Sequence, residues 1–176
     1  MWLFIFDDRY CDESETGIHP NGSAGSSPPS FASSSVRRHS GAVPTCMALI
    51  DVVGRFELGT EAFCRRDVRA LTDIAVNVTC WANDILSYPK ELQRSLKVHS
   101  LPTVLATELR LSPAEAIKVA AAMHDAEVAR YLETEPSLRR DAVPELRSYT
   151  DGLRDWMGGN FHWSLETGRY GLPTSA

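Results

Sequence analysis

Apolar positions recur at helical spacing through most of this chain. Between residues 66 and 92, Val68, Leu71, Ala75, Val78 and Ala82 fall on one stripe, and the run from Ile74 to Ala82 (IAVNVTCWA) is apolar nearly all round. A helix with that pattern is buried on more than one side. Pro89 lacks an N–H and frees the carbonyl of Ile85, which predicts a kink or the helix end close by. Further on, the residues from His99 to Thr103 mark a turn, and those from Thr103 to Leu109 a short helix. Ser112-Pro113-Ala114-Glu115 supplies an N-cap, a proline at N1 and an acid at N3, so a helix is expected from there to about Glu133. A last helix begins near Pro144 and carries Tyr149, Leu153, Trp156, Asn160, Trp163, Thr167 and Tyr170 on one stripe. Gly158-Gly159 inside it permits a bend or a close helix contact.

The pattern is weaker upstream. From Ser35 a helical period reaches Val53, interrupted by Gly41 and Pro44, which predicts two short helices with free carbonyls near Ser40 and Gly41. Residues 14–34 are dense in Ser, Gly and Pro and are expected to be a flexible linker. Residues 1–13 (MWLFIFDDRYCDE) read as a helix, apolar early and acidic late, and residues 172–176 as a short tail. With no internal repeat and no strand pairing, the fold class expected is all-α.

A length of 176 residues, 43% hydrophobic and 23% charged, fits one globular domain with a real core. The net charge of −5 gives no general attraction for nucleic acid or an anionic membrane, so a polyanionic ligand must be bound through local cations. Six apolar residues at the start, followed by Asp7-Asp8 without a basic stretch, make neither a signal peptide nor a membrane span. Cys11, Cys46, Cys64 and Cys80 have no CxxC spacing and read as reduced core residues of an intracellular, cytoplasmic protein.

Candidate chemistry concentrates on the long helix. Asn83, Ser87 and Glu91 are spaced i, i+4 and i+8. They drift by only ~40° per step and share one face along roughly 12 Å of helix. An amide oxygen, a hydroxyl and a carboxylate form a hard-cation set, suited to Mg²⁺ completed by water and phosphate. Zinc would call for Cys or His. Lys90 adds a positive charge for an anion held there. Polar residues at this spacing are more often a solvated face, but the apolar flank before Asn83 argues against that here. Asp7, Asp8 and Asp12 lie close together on the first segment, where a cation would relieve their repulsion; a charged helix end facing water is the equal alternative. Arg37 offers a guanidinium fork to a phosphate, although a lone Arg is ordinarily a surface residue. The aromatic stripe on the last helix is ordinarily core, yet the same rings can wall a pocket and face a cation. His124 has no evident partner.

Taken together, these residues resemble bacterial class I terpene synthases. Asn83-Asp84-x-x-Ser87-x-x-Lys90-Glu91 is similar to the family's second metal motif at each defining position, Asp7-Asp8-x-x-x-Asp12 to its aspartate-rich motif, and Arg169-Tyr170 to its terminal Arg-Tyr pair. Arg37 stands where the family carries a diphosphate-sensing Arg, with Ser40 and Gly41 at the linker and effector positions. Residues 35–171 are covered. CMALIDVVGRFEL together with DDRYCDE leans towards the branch that includes 2-methylisoborneol synthases. Helices that the family places before the aspartate-rich motif, and between it and the sensor Arg, have no counterpart here. The resemblance therefore implies a partial α-helical bundle or barrel.

The resemblance also implies chemistry. Three Mg²⁺ ions held by Asp7, Asp8 and Asp12 on one side and by Asn83, Ser87 and Glu91 on the other would bind an isoprenyl diphosphate. Arg37, Lys90, Arg169 and Tyr170 would take the remaining diphosphate oxygens, and Phe4, Trp81, Trp156 and Trp163 would face the carbocation. Geranyl, methylgeranyl or farnesyl diphosphate is the substrate expected, and a homodimer the assembly; a remnant that binds diphosphate without turnover is the alternative.

Overall fold

The computed structural model describes residues 43–94, 100–140 and 142–170. The segments 1–13, 14–34 and 35–42, His99, the tail, and with them Phe4, Asp7, Asp8, Cys11, Asp12, Arg37, Ser40 and Gly41, lie outside the described residues. Every regular element among those described is helical: α1 Val43–Met47, α2 Ile50–Gly54, α3 Thr60–Cys64, α4 Arg66–Gln93, α5 Leu101–Glu108, α6 Pro113–Arg139, α7 Pro144–Glu166 and a closing 3₁₀ turn Gly168–Tyr170.

The long helix α4 is the axis of the bundle. It packs against α6 most extensively, and also against α7, α5, α1, α3 and the closing turn. Its predicted stripe is buried throughout, and Ile74 and Val76 join it. Val68, Leu71, Ala75 and Val78 meet Met47, Tyr131, Leu146, Tyr149 and Leu153 in the larger core. A second core gathers Leu101, Leu105, Ala116 and Ala120 around Trp81 and Ile85. Each fully buried large side chain stabilises by about 1.5–3 kcal/mol, so α4 owes its 28 residues to burial on several sides more than to propensity. Pro89 is accommodated in its last turns, and the helix ends at Gln93, two residues past Glu91.

Local signals place the other helices. Ser112 and Glu115 form the predicted capping box at the start of α6. The left-handed residue Arg55, at φ 57°, closes α2 by donating its N–H to carbonyls of that helix. Cross-helix polar links hold α6 to α4 and α7. Asn77 donates to Glu127 at 2.7 Å, and Glu135, only 2% exposed, is paired with Arg154 of α7 and with Arg139.

Several boundaries differ from the sequence pattern. α6 continues through Pro136 to Arg139, six residues past Glu133. The bond that Pro136 cannot make is offset from outside: Leu138 is buried, while Glu135 and Arg139 are tied to Arg154, Thr150 and Asp151 of α7. α5 starts at Leu101, with Pro102 in its first turn rather than in a loop before it. The chain between Cys46 and Val53 is split at Ala48-Leu49, where the Leu49 N–H bonds the Cys46 carbonyl in a tighter i−3 turn. Gly158 and Gly159 make no close contact, since a Cβ on either would meet nothing within 4 Å. The glycine at a helix crossing is Gly152, where a Cβ would lie 2.2 Å from Cγ2 of Ile50. The cysteines are also corrected: Cys64 is exposed, Cys46 and Cys80 are half-buried, and none of the three is a full core residue. His124 does have a neighbour, Asp125, at 3.3 Å.

Candidate functional site

The face of α4 that carries Asn83, Ser87 and Glu91 meets the end of the chain's last helical stretch. Asn83 donates its Nδ2–H to the Tyr170 hydroxyl at 2.8 Å, which leaves Oδ1 for another partner. One turn on, Ser87 donates to Glu91 Oε1 at 2.7 Å. Glu91 is 8% exposed, and its second oxygen, Oε2, is buried without a hydrogen-bond partner. A carboxylate oxygen in that state needs a cation or a donor.

These groups fit a hard divalent ion. Two ligand oxygens on adjacent corners of an octahedron with ~2.1 Å bonds lie about 3 Å apart, close to the Ser87–Glu91 separation. The set is one amide oxygen, one hydroxyl and one carboxylate, all oxygen. Among the described residues no group of three or more His, Cys, Asp and Glu side chains gathers, so the donor set here draws on Asn and Ser.

Asp84, the second residue of the motif, has a different task. It is buried and its Oδ2 accepts the Leu101 N–H at 2.8 Å, capping the start of α5 in place of Ser100, which bonds Thr103 instead. Neighbouring residues of α4 thus divide between the candidate ligand face and the placement of α5. Tyr88, also buried, has its hydroxyl pKa raised by burial and by the Glu91 charge.

Of the other predicted site residues, Lys90 is half-buried beside Glu91, and the Arg169 guanidinium lies 5.5 Å from the centroid of the Tyr170 ring. Trp156 and Trp163 are half-buried on α7. Trp81 is placed elsewhere: it sits about 160° round the helix from Asn83, packed in the second core with Ile85. Phe4, Asp7, Asp8, Asp12, Arg37 and Gly41 lie outside the described residues.

The same face of α4 runs back from Asn83 through Cys80 and Val76 to Thr72, by heptad and i+4 steps. There Thr72 Oγ1 lies 3.0 Å from the Tyr149 hydroxyl, and a cleft of about 220 Å³ opens between Val76, Met47, Phe63 and Tyr149. Two pins therefore hold α7 and its closing turn along this face, Thr72–Tyr149 at one end and Asn83–Tyr170 at the other. Sequence reasoning missed two features between and beside them. Asn160, 7% exposed, has neither amide atom hydrogen-bonded, and the buried Trp156 Nε1–H also lacks a partner. Their place on the stripe was legible; their unmet hydrogen bonds were not.

Residues 26–130 match the model of terpene synthase family 2, C-terminal metal binding. The chain is 32% identical over 139 residues to a (+)-(1(10)E,4E,6S,7R)-germacradien-6-ol synthase of Streptomyces pratensis, covering 78% of this chain and 39% of that one. It is 38% identical over 146 residues to a (+)-T-muurolol synthase of Roseiflexus castenholzii, covering 78% and 43%. In structure it is similar to 2-methylisoborneol synthase from Streptomyces coelicolor, with a TM-score of 0.72 and 28% identity over 79% of this chain and 44% of that one. The same synthase is also known in complex with Mg²⁺ and 2-fluoroneryl diphosphate. The chain thus spans about two fifths of the length of the curated relatives it matches.

Proposed function

Because this chain belongs to the terpene synthase family, we propose that it is a Mg²⁺-dependent terpene cyclase acting on an isoprenyl diphosphate. The observation that carries this reading is the buried, unpartnered Glu91 Oε2 on the same helix face as Ser87 and the Tyr170-bonded Asn83. The relatives named above support the class: the T-muurolol synthase is a farnesyl diphosphate-cyclising enzyme.

Asn83 Oδ1, Ser87 Oγ and the Glu91 carboxylate would hold Mg²⁺, with Asp7, Asp8 and Asp12 as the further ligands, three ions in all. Bound Mg²⁺ supplies Lewis-acid stabilisation of the departing diphosphate. Tyr170 orients the Asn83 amide and, with Arg37, Lys90 and Arg169, donates to diphosphate oxygens as the C–O bond breaks. Gly41, at the effector position the resemblance gives it, would present its backbone carbonyl to the developing cation, and Arg37 would sense the diphosphate. Trp156, Trp163 and Phe4 would keep water from the cation and offer it their ring faces. Trp81 is left out of this set because it lies about 160° round α4 from Asn83. A cytoplasmic protein working as a homodimer completes the proposal. Mg²⁺-dependent release of diphosphate from geranyl, 2-methylgeranyl or farnesyl diphosphate, abolished in Asn83→Ala and Glu91→Gln, is the expected result. Release that is indifferent to both substitutions would refute it.

The alternative is a helical protein that binds diphosphate and Mg²⁺ without ionising a substrate; ligand-induced stabilisation without diphosphate release distinguishes it.

A further inference from the structure

The outer face of α2 is apolar and has nothing packed on it among the described residues. Leu49, Val52 and Val53, spaced i, i+3 and i+4, are 48%, 66% and 81% exposed, while Ile50 on the opposite side is buried against Gly152 of α7. The three side chains form a ridge. Beside it lies the cleft of about 220 Å³ walled by Pro44, Met47, Ala48, Phe63, Val76 and Tyr149. Chain continuity sets the two side by side: Ala48 lines the cleft and Leu49 begins the ridge. Burial raises the Tyr149 hydroxyl pKa, the Thr72 bond opposes it and the Asp51 charge adds to it, so the Asp51 flank of α2 adjoins the cleft. An exposed apolar patch rimmed by charge marks an interaction surface.

The rim charges identify the occupant. Arg55, which closes α2 beside the ridge, and Arg69 and Asp73, which line the cleft, are exposed and make no side-chain hydrogen bond or ion pair among the described residues. Asp51 spends one carboxylate oxygen on the Val52 N–H and keeps the other. The ridge thus offers Arg55 and Asp51, and the cleft offers Asp73 and Arg69. A projection and a hollow of opposite charge, side by side on one surface, are complementary to that same surface on another copy. Such surfaces meet about a two-fold axis.

We propose that a second copy of this chain docks here, the Leu49–Val53 ridge of each copy lying in the cleft of the other, with Arg55 facing the partner's Asp73 and Asp51 facing the partner's Arg69. The proposal gives the homodimer of the reading above its surface and rests on that part of the reading alone. The cleft is smaller than the ~300–1,000 Å³ that a drug-sized ligand occupies, and it suits a few aliphatic side chains better than a whole small molecule. Its nearer edge on α4 is Val76, seven residues and about 10 Å from Asn83. A docked copy therefore leaves the Asn83–Glu91 end uncovered. One short helix and one cleft on each side make a small interface, and small interfaces are weak. A dissociation constant of about 1–100 µM is expected.

Sedimentation equilibrium of the full chain from about 1 to about 500 µM tests this, with a reversible monomer–dimer equilibrium as the expected result. Val53→Lys places an unpaired charge in the partner's cleft and is expected to weaken dimerisation at least about tenfold. Circular dichroism and the thermal midpoint of the dilute monomer are expected to match the parent, because the side chain is 81% exposed. Arg55→Glu alone and Asp73→Arg alone each set like charges against each other, and each is expected to dimerise at least about tenfold more weakly. Mixed in equal amounts, the two variants regain both opposite-charge contacts, and a heterodimer near parent affinity is expected. A parent chain that stays monomeric up to about 500 µM overturns the proposal and leaves the face to another occupant, residues 1–42 of the same chain among them. A dimer indifferent to Val53→Lys, or charge variants that fail to recover on mixing, overturns it by placing the contact elsewhere. Diphosphate release is read separately: a monomer that releases diphosphate overturns the interface and keeps the cyclase, and a dimer with these responses that releases none keeps the interface.

Discussion

Asn83 and Tyr170 are 87 residues apart in sequence and joined by a 2.8 Å hydrogen bond between amide and phenol. The bond turns the amide so that its oxygen is the free end, and it locks the closing 3₁₀ turn onto the helix that carries Asn83, Ser87 and Glu91. Tyr170→Phe removes that bond without changing the ring. A loss of about 1 kcal/mol of stability is expected, together with a larger loss in diphosphate release. Urea titration and a diphosphate-release assay on the same preparation check both parts.

Glu91→Gln separates ligation from folding. The buried, unbonded carboxylate oxygen is a liability to the empty fold, so the neutral amide is expected to leave unliganded stability unchanged or raised. The response to Mg²⁺ plus inorganic diphosphate is expected to disappear. At 100 times its dissociation constant, selective binding adds about 2.7 kcal/mol to the parent. Thermal unfolding with and without the two ligands reads both quantities.

Arg154→Met tests the α6–α7 clamp. Glu135 is 2% exposed and paired with Arg154 and Arg139. Removing one partner leaves a buried carboxylate under-compensated, at a cost of up to about 3–5 kcal/mol. Half of that is the expected value here, because Arg139 remains. A double substitution, Glu135→Leu with Arg154→Met, is expected to recover most of the loss, and its coupling energy in a double-mutant cycle is the decisive figure.

Tyr131 and Tyr149 make the fold sensitive to alkali. Burial raises both hydroxyl pKa values; the Glu135 charge adds to the rise at Tyr131, and the Thr72 hydrogen bond partly opposes it at Tyr149. Their folded pKa values exceed the unfolded one, so the stability they contribute is whole below about pH 10, the ordinary tyrosine value, and is lost as pH rises beyond it. Tyr131→Phe gives up the 3.1 Å bond to the Thr150 carbonyl at neutral pH but should show a shallower alkaline decline. Denaturation midpoints followed from pH 8 upward would show the crossing of the two curves; parallel curves would contradict it.

Gly152→Ala is expected to cost about 1–3 kcal/mol by overpacking, since the new Cβ would stand 2.2 Å from the Ile50 branch methyl. Ile50→Ala in the same chain should recover part of it. Equal substitutions at Gly158 or Gly159 should be neutral or stabilising, because both sit in a helix interior facing open space.

The contrast between those glycines shows what was legible in the sequence. A glycine pair advertises itself, but which glycine meets a neighbour depends on where α2 crosses α7. Likewise α4 and the shared face of Asn83, Ser87 and Glu91 could be read directly, because burial and side-chain spacing share the period of one helix. α6 was read short at Pro136 because the ion pairs that carry it onward come from α7. Asp84 sits inside a recognisable motif, yet its bond to Leu101 needs the turn back into α5. Trp81 was counted as a pocket ring by residue type; its angle on α4 puts it on another face. The Asn160 and Trp156 groups were visible as stripe positions, while unmet hydrogen bonds appear only when every neighbour is in place.

The Asp84 bond to Leu101 gives this protein a reporter that needs no substrate. An amide proton held by a buried carboxylate exchanges with solvent only when that contact opens. The Leu101 exchange rate therefore registers how firmly the Asn83–Glu91 end of α4 is seated, one residue from Asn83. If metal and diphosphate brace that end, the rate slows; in a chain whose motif has drifted out of use, it would keep the same pace with or without them.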